Sequence, residues 1–185
     1  MEDTYANGYV FMASSLDGFV ARQDNSLDWL MKYGINENDT SFEDFTKNID
    51  VLVMGSGTFK TVLSFEQWPY KMPVYVMSRR LTQGDVPEAL QNQVTIITLN
   101  PKELMQLLYK KGLNNAYIDG GKLVQSFIND GLIKEITLTQ IPILIGKGKR
   151  LFGEMDTDID LELITSKPMK FGFIQNHYQV LNKLV

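Results

Sequence analysis

Asn115-Ala-Tyr-Ile-Asp-Gly-Gly-Lys-Leu-Val124 sets a short apolar run, two glycines and a helix start in direct succession. The run 116–118 reads as a buried strand, and the pattern from 121 to 129, with Leu123, Val124, Phe127 and Ile128 on one side, reads as a helix. Gly120 and Gly121 carry no side chain to block a close approach. The first turn of the helix offers unpaired N–H groups at its positive dipole end, an arrangement that suits a pyrophosphate. A Gly-Gly pair also serves a tight strand-to-helix turn with no ligand, and from this stretch alone both readings stand.

The same grammar recurs upstream. The run 50–54 is followed by Gly55-Ser56-Gly57-Thr58 and a helical pattern carrying Phe59, Val62 and Leu63. Lys60 stands where a dinucleotide fingerprint needs its third glycine, and the Gly-Lys-Ser/Thr ending of a Walker loop is missing. A third apolar run, 74–77, ends in Ser78-Arg79-Arg80, a hydroxyl and two guanidiniums suited to a phosphate monoester. A solvated basic turn is the plainer alternative there.

Working outward, runs 9–14 and 94–99 also read as strands. Residues 101–111 form the clearest helix: Asn100 as N-cap, Pro101 in the first turn, Glu103 closing a capping box, and Gly112 as a stop. In the last third, 135–145, 161–165 and 171–181 look like strands without a helix between them, and strands joined by short links are normally antiparallel. The expected class is therefore α/β, a mixed and mostly parallel sheet with antiparallel strands at one edge, in one domain over residues 1–185.

Composition narrows the function classes. Hydrophobic residues make up 44% and charged residues 22% of the chain, and the net charge of −4 gives no electrostatic reason for a nucleic-acid or anionic-membrane partner. No cysteine is present, which excludes disulfides, thiolate metal sites and cysteine nucleophiles, and no metal is expected. The polar, acidic start and the lack of a long apolar run point to the cytoplasm rather than to secretion or a membrane.

In this order the segments resemble the dihydrofolate reductase superfamily, and most closely the reductase domain of bacterial bifunctional riboflavin-biosynthesis deaminase–reductases and their stand-alone relatives. Met12-Ala-Ser-Ser-Leu-Asp-Gly-Phe-Val-Ala21 resembles the opening signature of that subgroup. Ser26-Leu-Asp-Trp-Leu30 resembles its short helix, and Met54-Gly-x-x-Thr-Phe59, Ser78-Arg79 and Asp119-Gly-Gly121 its cofactor turns. Pro142-Ile-Leu-Ile-Gly-x-Gly148 with Leu151-Phe152 resembles a late segment. The resemblance implies a dihydrofolate-reductase-like sheet of about eight strands flanked by helices. It implies NADPH as cofactor, with Ala13 and Val20 beside the nicotinamide and Gly55, Ser56, Gly57 and Thr58 along the phosphates. Ser78, Arg79 and Arg80 would take the 2′-phosphate, and Gly120, Gly121, Lys122 and Leu123 would close over the pyrophosphate. Ser14, Ser26, Trp29 and Thr139 are the implied substrate-pocket residues.

Two departures bear on function. Ser56 replaces the arginine that dihydrofolate reductases usually carry after the first glycine. Ser26 stands where they place the pterin-binding carboxylate, and Asp28 lies about 200° further around a helix, so dihydrofolate is disfavoured. The expected activity is hydride transfer from NADPH to a small heterocycle of pyrimidine or pteridine type. A 5-amino-6-(5-phosphoribosylamino)uracil reductase and a non-catalytic NADPH sensor are the alternatives, and a homodimer stays open. No general acid is identifiable, leaving water or a substrate group as proton source. His177 is placed at a rim without a partner, Asp17 in a turn, and Trp68-Pro69-Tyr70 in a packed loop or an exposed lid or dimer contact.

Overall fold

The computed structural model describes residues 4–33, 41–155 and 157–181. In chain order the elements are β1 (Asn7–Ser15), β2 (Phe19–Ala21), α1 (Asp28–Met31), α2 (Ser41–Thr46), β3 (Val51–Gly55), α3 (Ser56–Leu63), β4 (Val74–Met77) and β5 (Val94–Ile97). There follow α4 (Pro101–Lys110), β6 (Asn115–Asp119), α5 (Gly121–Asn129), β7 (Ile133–Ile141), β8 (Lys149–Arg150), β9 (Leu161–Pro168) and β10 (Ile174–Val180). Eight strands form one sheet in the order β5-β4-β3-β6-β1-β7-β10-β9, and β2 pairs with β8 in a small second sheet.

The α/β dihydrofolate-reductase-like architecture read from the sequence is the one observed. The helix α4 is bounded cleanly because its signals are local: the Asn100 side chain accepts from the Glu103 N–H while Glu103 accepts from the Asn100 N–H, both at 2.9 Å, and Gly112 turns at φ +76°. The strands β3, β4 and β6 carry almost no solvent exposure, which explains their unbroken apolar sequences. Two cores result. One lies under α4 and α5, around Val51, Val53, Leu104, Leu108, Ile118, Val124 and Phe127. The other, on the opposite face, gathers Leu52, Met54, Phe59, Val74, Val76 and Tyr117, with Phe11, Phe42 and Phe45 packed against it.

The last third departs from the simple reading. β7 is parallel to β1, in register from Tyr9 opposite Glu135 to Ser15 opposite Ile141. In the large sheet β10 runs antiparallel to both of its neighbours, and it inserts between β7 and β9 rather than following β9 at the edge. The helix α5 supplies the crossover that a parallel β6-to-β7 connection requires, so the antiparallel rule begins one strand later than the run of strands suggests. β2 and β8 are too short to register as strands in the sequence.

Candidate functional site

Parallel sheets bind ligands beyond the carboxyl ends of their strands, and a large cleft lies there. About 910 Å³ in volume, it is lined by Met12 and Ala13 of β1, Gly55 of β3, Met77 of β4 and Asp119 of β6, with α3, α5, β8 and the approach to α1 as walls. Both glycine turns open into it. Ala13, Val20, Gly55, Ser56, Gly57, Thr58, Gly120, Gly121, Lys122 and Leu123 all line the cleft.

The helix starts differ in an informative way. α4, away from the cleft, satisfies its first N–H groups with its own capping box; α3 and α5, preceded by Gly55 and Gly120 as N-cap residues, have no side-chain cap. Their first-turn donors and positive dipole ends therefore face the cleft without a side-chain acceptor. Gly55 and Gly57 leave a cradle in front of α3: a Cβ at 55 would meet nothing within 4 Å, and one at 57 only the Asn25 side chain at 3.9 Å. A dinucleotide diphosphate fits that donor set and that space.

The second pair of glycines is needed by the protein itself. Gly120 sits at φ +103° with its would-be Cβ 2.7 Å from Thr58 Oγ1. A Cβ at Gly121 would lie 2.7 Å from the Arg150 carbonyl oxygen and 3.1 Å from Val20, because β8 packs directly on the first turn of α5. The Gly-Gly pair thus serves both readings left open by its sequence: it makes the turn, and the turn lines the cleft.

Other implied residues fall elsewhere. Arg79 and Arg80 are exposed and, with Ser78, lie outside the cleft lining, just past Met77, which is in it. The Ser78 hydroxyl accepts from the Arg80 and Leu81 N–H groups at 3.1 and 3.0 Å, so it orders the arginine turn. None of the four implied substrate-pocket residues lines the cleft. Ser14 is buried in β1. Trp29 is 1% exposed, with an indole N–H that has no partner among the described residues. The Thr139 hydroxyl accepts from Gln175 at 3.0 Å. Ser26 precedes α1 in a turn held by Asp24 and Asp28. Its neighbours Leu27 and Leu30 occupy the wall instead, because α1 starts only at Asp28. Asp28 itself is engaged outside, in a two-pronged pair with Arg22 at 2.5 and 3.0 Å.

The residue missed by sequence reasoning is Asp119. It ends β6, half-buried in the cleft wall, and burial pushes its carboxyl up to about 6. The Gly120 N–H and Tyr117, whose hydroxyl donates to the Phe11 carbonyl at 3.0 Å, pull the other way. Burial, and then the nearby Asp119 charge, raise the Tyr70 hydroxyl, which stays protonated and faces the same cleft. The signal was in the decisive stretch: a carboxylate at the last position of a buried strand sits where α/β sheets place ligands, but Asp119-Gly-Gly was read for its glycines. Lys149 and Arg150 were missed because β8 is invisible in the sequence.

His177 also differs from expectation. It is bonded to Glu135 at 2.9 Å and lines a second cavity of about 530 Å³ beneath α2, so it has both a partner and a cleft. Asp17 is the turn carboxylate expected, accepting from the Ile145 and Gly146 N–H groups. Trp68 packs edge-on to Phe59 and Tyr70, which makes that loop a packed one.

The mixed sheet, the crossover helices and the strand-end cleft define a dihydrofolate-reductase-like reductase domain. The match extends to a named family: residues 7–174 fit the RibD C-terminal domain, and the chain belongs to that family. YwjB of Bacillus subtilis (strain 168) is 31% identical over 174 residues, covering 91% of this chain and 95% of its own. The crystal structure of a putative riboflavin biosynthesis protein from Shewanella sp. PV-4 superposes with a TM-score of 0.87 at 37% identity, covering 95% of this chain and 99% of that one. The Thermotoga maritima diaminohydroxyphosphoribosylaminopyrimidine deaminase/5-amino-6-(5-phosphoribosylamino)uracil reductase shares the fold, with a TM-score of 0.72 at 12% identity. The overlap covers 96% of this chain and 57% of that longer one.

Proposed function

We propose that this oxidoreductase domain binds NADPH across the uncapped starts of α3 and α5 and reduces a small pyrimidine- or pteridine-like heterocycle, in the cytoplasm. The observation that carries the reading is the pairing of two uncapped helix starts with one high-pKa carboxyl in a single cleft. When bound, NADPH supplies a hydride to a C=N or C=O bond of the substrate. The chain does the rest. The first-turn N–H groups of α3 and α5 hold the diphosphate, Ala13 and Val20 flank the nicotinamide, and Asp119 in its acid form donates the proton to the substrate nitrogen or oxygen. Asp119 is then reprotonated from solvent. A carboxyl with a pKa near 6 is matched to that task near neutral pH.

The test is NADPH titration followed by NADPH oxidation across pteridines, pyrimidines and small carbonyls. Saturable binding with turnover of at least one heterocycle is expected. Dihydrofolate is expected to turn over at well below the usual enzyme range of about 1–1000 per second, since the α1 wall presents Leu27 and Leu30 rather than a carboxylate. Binding without turnover of any compound would favour a sensor.

Cofactor choice falls on Arg79. Neither Arg79 nor Arg80 has an ion-pair partner among the described residues, and the turn that carries them follows directly on the cleft residue Met77. Arg79→Ala is expected to weaken NADPH by roughly tenfold to a hundredfold, the worth of a charge-assisted hydrogen bond to phosphate, and to leave NADH unchanged. Isothermal titration of both cofactors checks this; equal losses would assign Arg79 to general charge rather than to the 2′-phosphate.

A further inference from the structure

The large sheet is well covered over its centre and bare at its β9 edge. Ile136 and Leu138 of β7 belong to the core beneath α4 and α5. In register with them stand Tyr178 and Asn176 of β10, and beyond those Leu163 and Ser166 of β9, so the same face runs out to the sheet edge. After α5 the described chain forms no further α-helix, and all eight residues of β9 are exposed. Leu161, Leu163 and Ile164 keep 42%, 53% and 47% of their surfaces in water, with Phe171, Ile174 and Leu181 also exposed on or beside β10.

An edge strand of eight residues, about 27 Å long at ~3.4 Å per residue, is normally shortened, charged or covered. β9 has two partial safeguards. Ile164 is bulged out of register between Leu163 and Thr165, and Pro168 ends the strand. Both hinder open-ended extension of the sheet. Neither hides the leucines.

Charge is polarised along the strand. Asp158, Asp160 and Glu162 lie at its start and Lys167 and Lys170 at its finish, all exposed. None of the five has an ion-pair partner among the described residues. A second β9 laid antiparallel to the first sets each acidic end against a basic end, twice over by symmetry, whereas a parallel copy would set like against like. The stretch 157–181 that carries these features matches a standard interface of about 20–30 residues and ~800 Å² per partner, with an apolar centre and a charged rim. Contiguous apolar surface rimmed by polar groups marks an association site.

We infer that the occupant of this face is a second copy of the chain, docked about a twofold axis so that the open β9 and β10 faces meet and the two β9 strands run antiparallel. The bulge and the proline favour this closed pair over a growing sheet. The pairing stands apart from the cleft and does not depend on the reductase reading.

Sedimentation equilibrium of the full chain, without added ligand, reads the mass in solution. The unsubstituted protein is expected at twice the chain mass at micromolar concentration. Leu163→Arg puts a charge at the centre of the contact and is expected to raise the dimer Kd on the order of 100-fold, the loss of a buried anchor. Because Leu163 is exposed in the single chain, the circular dichroism of this variant should not change. Glu162→Lys and Lys167→Glu are each expected to weaken pairing roughly tenfold, since each reverses two symmetry-related contacts. The double variant should return to within a few-fold of the unsubstituted protein. A single-chain mass at tens of micromolar overturns the inference. So does a dimer that tolerates Leu163→Arg, which would put the interface elsewhere, or a double variant weaker than either single one, which would remove the antiparallel arrangement. Should Leu163→Arg lose its fold, the charge-swapped set decides the question alone.

Discussion

Asp119→Asn is expected to lower turnover by a factor on the order of 100 to 10,000, the usual contribution of a positioned acid, while NADPH affinity stays nearly constant. Asparagine keeps the shape of the side chain and removes the transferable proton. In the unsubstituted protein kcat should fall about tenfold per pH unit above pH 6, because only the protonated carboxyl donates and burial sets its pKa at about 6. That fall should be absent in the variant. Stability moves in the opposite sense. The folded pKa lies above the ordinary carboxylate value of 3.8, so folding favours the neutral acid; this contribution is complete below about pH 4 and is lost as pH rises through 6. Partial exposure of the side chain limits the effect to on the order of 1–2 kcal/mol. The asparagine variant should therefore melt a few degrees higher than the unsubstituted protein at pH 8 and at nearly the same temperature at pH 4, which thermal scans at the two pH values check. A variant that keeps its turnover and its pH profile would remove Asp119 from the chemistry.

Gly55→Val is expected to weaken NADPH on the order of 100-fold or more, near 2.7 kcal/mol, with little change in melting temperature. Gly55 has φ −85° and ψ 165°, a conformation any residue adopts, and its would-be Cβ meets nothing within 4 Å. The folded protein accommodates the two methyl groups; the space they fill is the cradle in front of α3, where a phosphate must approach the backbone. Gly121→Val is the less informative change. Its Cβ collides with the Arg150 carbonyl, so weaker binding there would report displacement of β8 as readily as loss of a phosphate contact. Titration of the Gly55 variant, together with its melting curve, separates steric exclusion of the cofactor from damage to the fold. Unchanged affinity in a folded protein would remove the phosphate from α3.

The elements most legible in the sequence are those whose signals are local. Residues 74–77 and 121–129 match β4 and α5 end for end, and the Asn100–Glu103 box is closed as read. Caps, breakers and apolar periodicity act within a few residues, so the chain states them directly. The glycine-turn part of the cleft was legible for the same reason: a strand, a glycine turn and a helix start are contiguous, and ten of the implied positions line the cavity. The rest of the cleft was not. It is assembled from β1, α1, α3 and the 65–70 loop, and which side of α1 meets the cavity depends on a start at Asp28 that the Ser26-Leu-Asp-Trp-Leu stretch does not announce.

The amino-acid sequence by itself determined the strand–helix order, the parallel sheet, the two glycine turns and membership in the fold class, because each follows from short-range periodicity and stereochemistry. Only the tertiary structure decided that β10 enters between β7 and β9, that β8 lies on α5 and forbids a side chain at Gly121, and that burial raises the Asp119 carboxyl to about 6. Those three depend on residues far apart in the chain. Strand order is settled by which edges bury the most apolar surface, a glycine by the backbone that reaches it from elsewhere, and a pKa by how much water its neighbours exclude.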